Sequence, residues 1–169
     1  MHGAIFIDFE ACSLAEDSWP IEIGLAWIDA RGKIRSSSKL IKPHPGWQHS
    51  AWSERSEKVH GIPRLKLAAA EEASEVARWA ADQVSNVCIL SDAAEHDGKW
   101  LSSLMATIGR EHDFEISSIQ EFALSHFKGA AKGMFFRALA NNRPKHRAAD
   151  DAMNLAQAWR AALRKQEKL

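Results

Sequence analysis

Ile5-Phe6-Ile7-Asp8-Phe9-Glu10 decides how the chain is read. Its bulky apolar residues fit a strand buried on both faces, yet the strand runs into two carboxylates. Successive side chains of a strand point to opposite faces, so Asp8 and Glu10 project from the same face at its C-terminal end. Two anions side by side in a half-buried place need a cation, a shared proton or solvent. Two readings follow. Either Glu10 is a strand-end residue in water and Asp8 a turn or cap, or both hold a divalent metal, with hard oxygen ligands favouring magnesium or manganese over zinc.

Working outward, the chain has 169 residues, 46% of them hydrophobic, enough for a single domain over residues 1–169 with a proper core. Basic and acidic side chains number 22 each, so any nucleic-acid contact must be local, through a patch or a metal site. Cys12 and Cys88 allow one disulfide at most. With the first strand expected to begin near Ala4, no leader sequence is expected, and the thiols are expected to be reduced in a cytoplasmic protein. No apolar run reaches membrane-spanning length, so no membrane partner is expected.

The elements follow in a readable order. After the polar loop Ala11–Ser18, Pro20 opens a second strand with Ile21, Ile23, Leu25 and Trp27 on one face, and Asp29–Gly32 supplies a hairpin turn. Lys33–Lys42, with its serines and lysines, reads as a polar edge strand. A short helix is expected around Trp52–Val59 and a longer one through Leu67–Val84. Val87–Leu90 is a short apolar strand, Phe114–Ile119 another, and helices fill the rest. This order implies an α/β layered domain with a mixed central sheet of about five strands flanked by helices, the opening strand near its middle.

Further acidic positions break the pattern. Asp92 and Glu95 match a capping box directly after the apolar strand, which gives Asp92 a structural job. In the helix that follows, Asp97 shares a stripe with Leu101, Leu104, Met105 and Ile108. It either complements the helix dipole or faces a cleft at the sheet's rim. Along the last long helix, Ala148, Asp151, Ala152, Leu155, Trp159 and Ala162 form the apolar stripe, so Asp151 points inward and Asp150 is the solvated one. His146, just before this helix and after Pro144, is either a surface histidine or a loop residue reaching across a cleft. Asp8, Glu10, Asp97 and Asp151 are thus all acidic, all inward, and all at strand ends or in first helical turns. A site for two divalent cations about 4 Å apart gives them one cause, phosphodiester hydrolysis. An imidazole with a pKa near ~6.5 then suits a general base, the role open to His146.

Asp8-Phe9-Glu10, Asp97-Gly98-Lys99-Trp100-Leu101 and His146-Arg147-Ala148-Ala149-Asp150-Asp151-Ala152 together resemble the three motifs of the DEDDh 3′–5′ exonucleases. That family has a ribonuclease H-like fold and includes proofreading subunits, oligoribonuclease and RNase T. Pro20–Gly24 and Val59–Ile62 resemble its accessory segments. The resemblance implies that Asp8, Glu10, Asp97 and Asp151 bind two Mg²⁺ or Mn²⁺ ions, with His146 as general base. It implies a substrate in the 3′ end of single-stranded RNA or DNA, with RNA slightly ahead, and release of nucleoside 5′-monophosphates. Backbone groups of Ala11, Cys12, Ser13 and Leu14 would hold the terminal nucleotide, with His60 nearby. Trp52 or Trp47 either stacks on a base or packs in the ordinary way. A homodimer is compatible with the family. Two departures stand out: members often carry Asn some positions before the second-motif Asp and an aromatic directly before it, where this chain has Ser91, Asp92 and His96. Asp-x-Glu-Thr is the commoner opening motif, where this chain has Asp8-Phe9-Glu10-Ala11-Cys12. The competing reading is a catalytically silent nucleic-acid-binding or partner-binding domain of the same fold.

Overall fold

The computed structural model describes residues 3–166. Strand β1 (Ala4–Ala11) lies inside a six-stranded mixed sheet, between antiparallel β2 (Pro20–Ile28) and parallel β5 (Cys88–Ser91). Beyond β2 come β3 (Ile34–Lys42) and the two-residue β4 (Glu71–Glu72), and beyond β5 comes β6 (Ile116–Ser118). The helices are α1 (Glu54–His60), α2 (Ala73–Val84), α3 (Ala94–Ala106), α4 (Ile119–His126), α5 (Gly129–Asn141) and α6 (Ala148–Gln166). Among the described residues no helix is long and apolar enough to cross a membrane, and Cys12 and Cys88 are both free thiols.

Alternation along β1 divides the core in two. Ile5, Ile7 and Phe9 pack with Ile23 and Leu25 of β2 under α2 and α3. Phe6 points the other way, into a layer formed with Ala26, Leu90, Phe127, Phe135 and Trp159 under α4, α5 and α6. Each face of the central strands is therefore covered, which explains the nearly unbroken apolar run of β1. Since Asp8 and Glu10 continue the Phe6 face, they emerge beneath α6.

Gly24 sets how closely that helix approaches. It pairs with Asp8 across the sheet, and a Cβ built on it would lie 2.0 Å from the Ala148 carbonyl carbon. Only a residue without a side chain lets the first turn of α6 rest on β2, which carries Asp151 over β1. We expect Gly24→Ala to cost about 3 kcal/mol or more, since the clash is with backbone on both sides and no rotamer relieves it. A thermal melt of the variant checks this, and an unchanged midpoint would show that α6 does not rest there.

The structure corrects the expected elements in two places. The helix read through Leu67–Val84 begins only at Ala73; Arg64–Ala69 is a 3₁₀ segment followed by β4. Buried Leu67 joins Trp19, Ile21 and Ile62 in a third apolar cluster, and Glu71 and Glu72 meet Lys39 and Lys42, each at 2.5 Å. This two-residue parallel bridge on β3 raises the count to six strands. The second correction concerns Asp92. The N-cap of α3 is Ala93, with no side-chain cap, and the hydroxyl of Ser91 accepts the Ala93 amide at 2.8 Å. Starting one residue later than the capping motif requires, the helix releases Asp92 from that job.

Candidate active site

β1 and β5 run parallel and end at the same rim of the sheet, where crevices form in α/β folds. Asp8 and Glu10 reach this rim from β1, Asp92 from the end of β5, Asp97 from the first turn of α3, and Asp151 from the first turn of α6. Asp8, Glu10, Asp92, His146 and Asp151 line one cleft, whose far wall carries Gln120 and Asn142. The acids fall into two groups. Ligand atoms of Asp8, Asp92 and Asp97 lie within 4.8 Å of one another, and so do those of Glu10, His146 and Asp151.

Without a cation these carboxylates are held against their preference for charge. Burial pushes the Asp8 carboxyl well above the usual range, and the charges of Asp97, Glu10, Asp151 and Asp92 push it further. Burial, then Asp151 and Glu22, raise Glu10 to about 8, with Arg147 opposing. Asp97 is 1% exposed and is raised to about 7 by burial, although it accepts hydrogen bonds from the Ser91 hydroxyl and the Phe9 amide. Clustered hard oxygen donors with an unmet demand for positive charge fit divalent metal ions.

The loop before α6 is fixed by hydrogen bonds to acids. Asp151 accepts the backbone amides of Lys145 and His146, both at 2.8 Å. His146 itself adopts a left-handed conformation, φ 56°, which costs a non-glycine residue about 1 kcal/mol. Glu22, 1% exposed, receives the Arg147 guanidinium through two hydrogen bonds of 3.0 and 2.8 Å, and the Ala148 amide at 3.3 Å. This clamp ties the residue after His146 to β2. It was not legible as a pair, because the partners are 125 residues apart and neither periodicity nor spacing links them. Asp150, by contrast, faces Lys145 Nζ at 3.3 Å and takes no part in the cleft.

The remaining expected contacts divide. Cys12 is fully buried, and its amide and carbonyl are already bonded to Trp19 and Ser53; Ser13 is buried beside it, its hydroxyl accepting the Ala15 amide at 3.3 Å. Ala11 is buried at the bulge ending β1, and Leu14 is 79% exposed. Trp52 packs against Trp19, with centroids 5.9 Å apart, gives its indole N–H to Glu57 and carries Arg64 over its face. Trp47 stacks on Trp19. Neither lines the acidic cleft; Trp52 is half-buried and borders a separate surface hollow with Lys58, Gly61 and Arg64. His60 is buried behind the site; its Nδ1 accepts the Ile62 amide at 3.0 Å, while Nε2 has no partner among the described residues.

A comparison with curated proteins finds no match. Among solved structures, the zinc-bound complex of E. coli exonuclease I with single-stranded DNA shares 12% identity at a TM-score of 0.71. That match covers 99% of this chain and 42% of the other, so this chain spans about two fifths of exonuclease I. A 3′-exonuclease described in recognition of the histone mRNA stem-loop shares 15% identity, with a TM-score of 0.70 over 97% and 82% of the two chains. A full-length 3′-exonuclease gives 16% and 0.70, over 98% and 61%. At these identities the likeness establishes the fold, which is ribonuclease H-like as expected. Membership rests on the sequence itself: residues 5–159 match the RNase T family, described as exonuclease, and the chain therefore belongs to that exonuclease family.

Proposed function

We propose that the protein is a metal-dependent 3′–5′ exonuclease that hydrolyses single-stranded nucleic acid, RNA ahead of DNA, and releases nucleoside 5′-monophosphates. The observation that carries this reading is the meeting of Asp8, Glu10, Asp97 and Asp151 from three separate chain segments at one rim, with His146 beside Glu10 and Asp151. Structural neighbours with single-stranded DNA and with a stem-loop RNA support a nucleic-acid substrate.

Asp8, Glu10 and Asp151 would hold Mg²⁺ or Mn²⁺, with Asp97 behind them. When bound, two such ions supply the positive charge that neutralises the scissile phosphate and eases ionisation of the attacking water. The chain's own part is positional. A ring nitrogen of His146 takes the proton of the attacking water as its oxygen bonds to phosphorus. The bond from phosphorus to the 3′ oxygen of the preceding nucleotide then breaks, and that oxygen leaves with a proton as the shortened strand's new 3′ hydroxyl. Asp151 orders the His146 loop through two amides, and the Glu22–Arg147 clamp keeps that loop from drifting off β2. The exposed loop at Leu14 would receive the terminal nucleotide, with the backbone of Ala11, Cys12 and Ser13 beneath it.

Matched 5′-labelled single-stranded RNA and DNA oligomers, incubated with manganese and with Asp8→Ala as the blank, test the reading. The expected result is a ladder shortening from the 3′ end, faster on RNA and absent in the variant. Binding of oligomer without shortening, by folded and metal-loaded protein, would replace it with the silent binding domain.

A further inference from the structure

Asp92 remains without a role once its capping motif is corrected. Phe6 of β1 pairs with Leu90 of the parallel β5, and both side chains enter the same apolar layer. Asp8 continues the Phe6 face two residues on, and Asp92 follows directly on the end of β5 at the same rim. The consequence is visible in the cleft, where oxygens of Asp8, Asp92 and Asp97 lie within 4.8 Å of one another. Asp97 is at the bottom of this group and is committed on its protein side to the Ser91 hydroxyl and the Phe9 amide. Asp92 is exposed at the mouth, so a cation entering from solvent meets it and Asp8 first.

We propose that Asp92 is a fifth carboxylate ligand of the site, completing with Asp8 and Asp97 a divalent-cation pocket that fills before nucleic acid arrives. This rests on the metal-dependent reading above and adds to it a residue that the four-acid pattern does not contain. Three carboxylates converging on one position give the protein enough charge to hold the ion without help from substrate phosphate, since ligand charge count sets affinity for hard cations. Glu10 and Asp151 lie together on the His146 side of the cleft, in a group that does not include Asp92.

The test is a titration of the metal-free full chain with Mn²⁺, without nucleic acid, following free manganese by electron paramagnetic resonance. Wild type should take up two ions. Asp92→Asn should weaken one of them about tenfold or more while the other stays within about twofold, and Asp151→Asn should weaken the other. Asp92→Ser, with melting curves of every variant, guards against a folding artefact. Two ions bound by Asp92→Asn and Asp92→Ser as tightly as by wild type would overturn the role of Asp92 and leave the metal-dependent reading standing. No manganese uptake by folded wild type would overturn both.

Discussion

Asp151→Ala should lower kcat/KM on a single-stranded oligomer by at least about 10³, some 4 kcal/mol of transition-state stabilisation, while Asp150→Ala stays within about threefold of wild type. The two residues are adjacent, of the same type and on the same helix. Only their directions differ. Asp151 enters the cleft beside Glu10 and His146 and accepts the amides of Lys145 and His146. Its removal takes away a ligand of the proposed metal site and also frees the loop that carries the imidazole. Asp150 pairs with Lys145 Nζ at 3.3 Å on the surface, and exposed pairs of this kind are worth about 0–1 kcal/mol. Asp8→Ala should match Asp151→Ala, because Asp8 feels every other acid of the site. His146→Ala should reduce kcat more than it raises KM, as expected of a proton acceptor that does not hold substrate. Steady-state kinetics on the four purified variants, with circular dichroism to confirm folding, decides the matter. Equal losses at positions 150 and 151 would refute the assignment of opposite helix faces.

The directions of these two aspartates were legible in the sequence because α6 is long and regular. A stripe of small apolar residues at helical spacing fixes which side faces the sheet, and Ala148, Ala152, Leu155, Trp159 and Ala162 are all buried as their spacing requires. The same holds for β1, where alternation alone puts Asp8 and Glu10 on one face, and for Asp97, buried with Leu101, Leu104 and Met105. Local pattern misleads where tertiary contact overrides it. Around Leu67 a helix-favouring stretch is turned into a 3₁₀ segment because Leu67 fills the hollow beside Trp19 and Ile62. The Asp92-x-x-Glu95 spacing satisfies a local rule that the helix declines by starting at Ala94. Nothing local distinguishes a carboxylate that caps from one that lines a cleft; the parallel register of β5 on β1 does, and it sets Asp92 two residues past Leu90, the partner of Phe6. For Glu22 and Arg147 no local signal exists, since the pair is made by the approach of α6 to β2 over Gly24.

The crowding of acids on that rim gives the second large effect, on stability. Stripped of divalent metal, the protein should lose stability as pH rises from about 4 to about 8, a window set by the raised carboxyls of Glu10 and Asp97. The sign follows from proton binding. In the unfolded chain Glu10 and Asp97 titrate near their ordinary values of 4.5 and 3.8, whereas in the fold they are raised to about 8 and about 7. Between these limits the folded state binds more protons than the unfolded one, so unfolding becomes easier as pH rises. Their contribution is fully present below the unfolded values and is gone once pH passes the folded ones. A tenfold change in proton affinity is worth about 1.4 kcal/mol, but the groups repel one another and their effects do not sum. A total loss of about 5 kcal/mol, the size of the Glu10 shift alone and roughly 10 to 20 °C in the melting midpoint for a chain of this size, is the expected result. Saturating manganese should remove the slope, because cations satisfy the ionised carboxylates in the fold alone and stabilise by mass action, most strongly at high pH. Glu10→Gln separates this from ordinary alkaline denaturation. Without metal, at a pH where Glu10 and its neighbours are largely ionised, it should melt above wild type, having lost a repelling charge, and it should gain less from manganese. Melting curves of both proteins across this range, with a chelator and with manganese, carry the test. A flat metal-free profile, or a variant that melts below wild type under those conditions, would mean that the acids are not held in mutual repulsion, and the case for paired cations at this rim would lose its electrostatic basis.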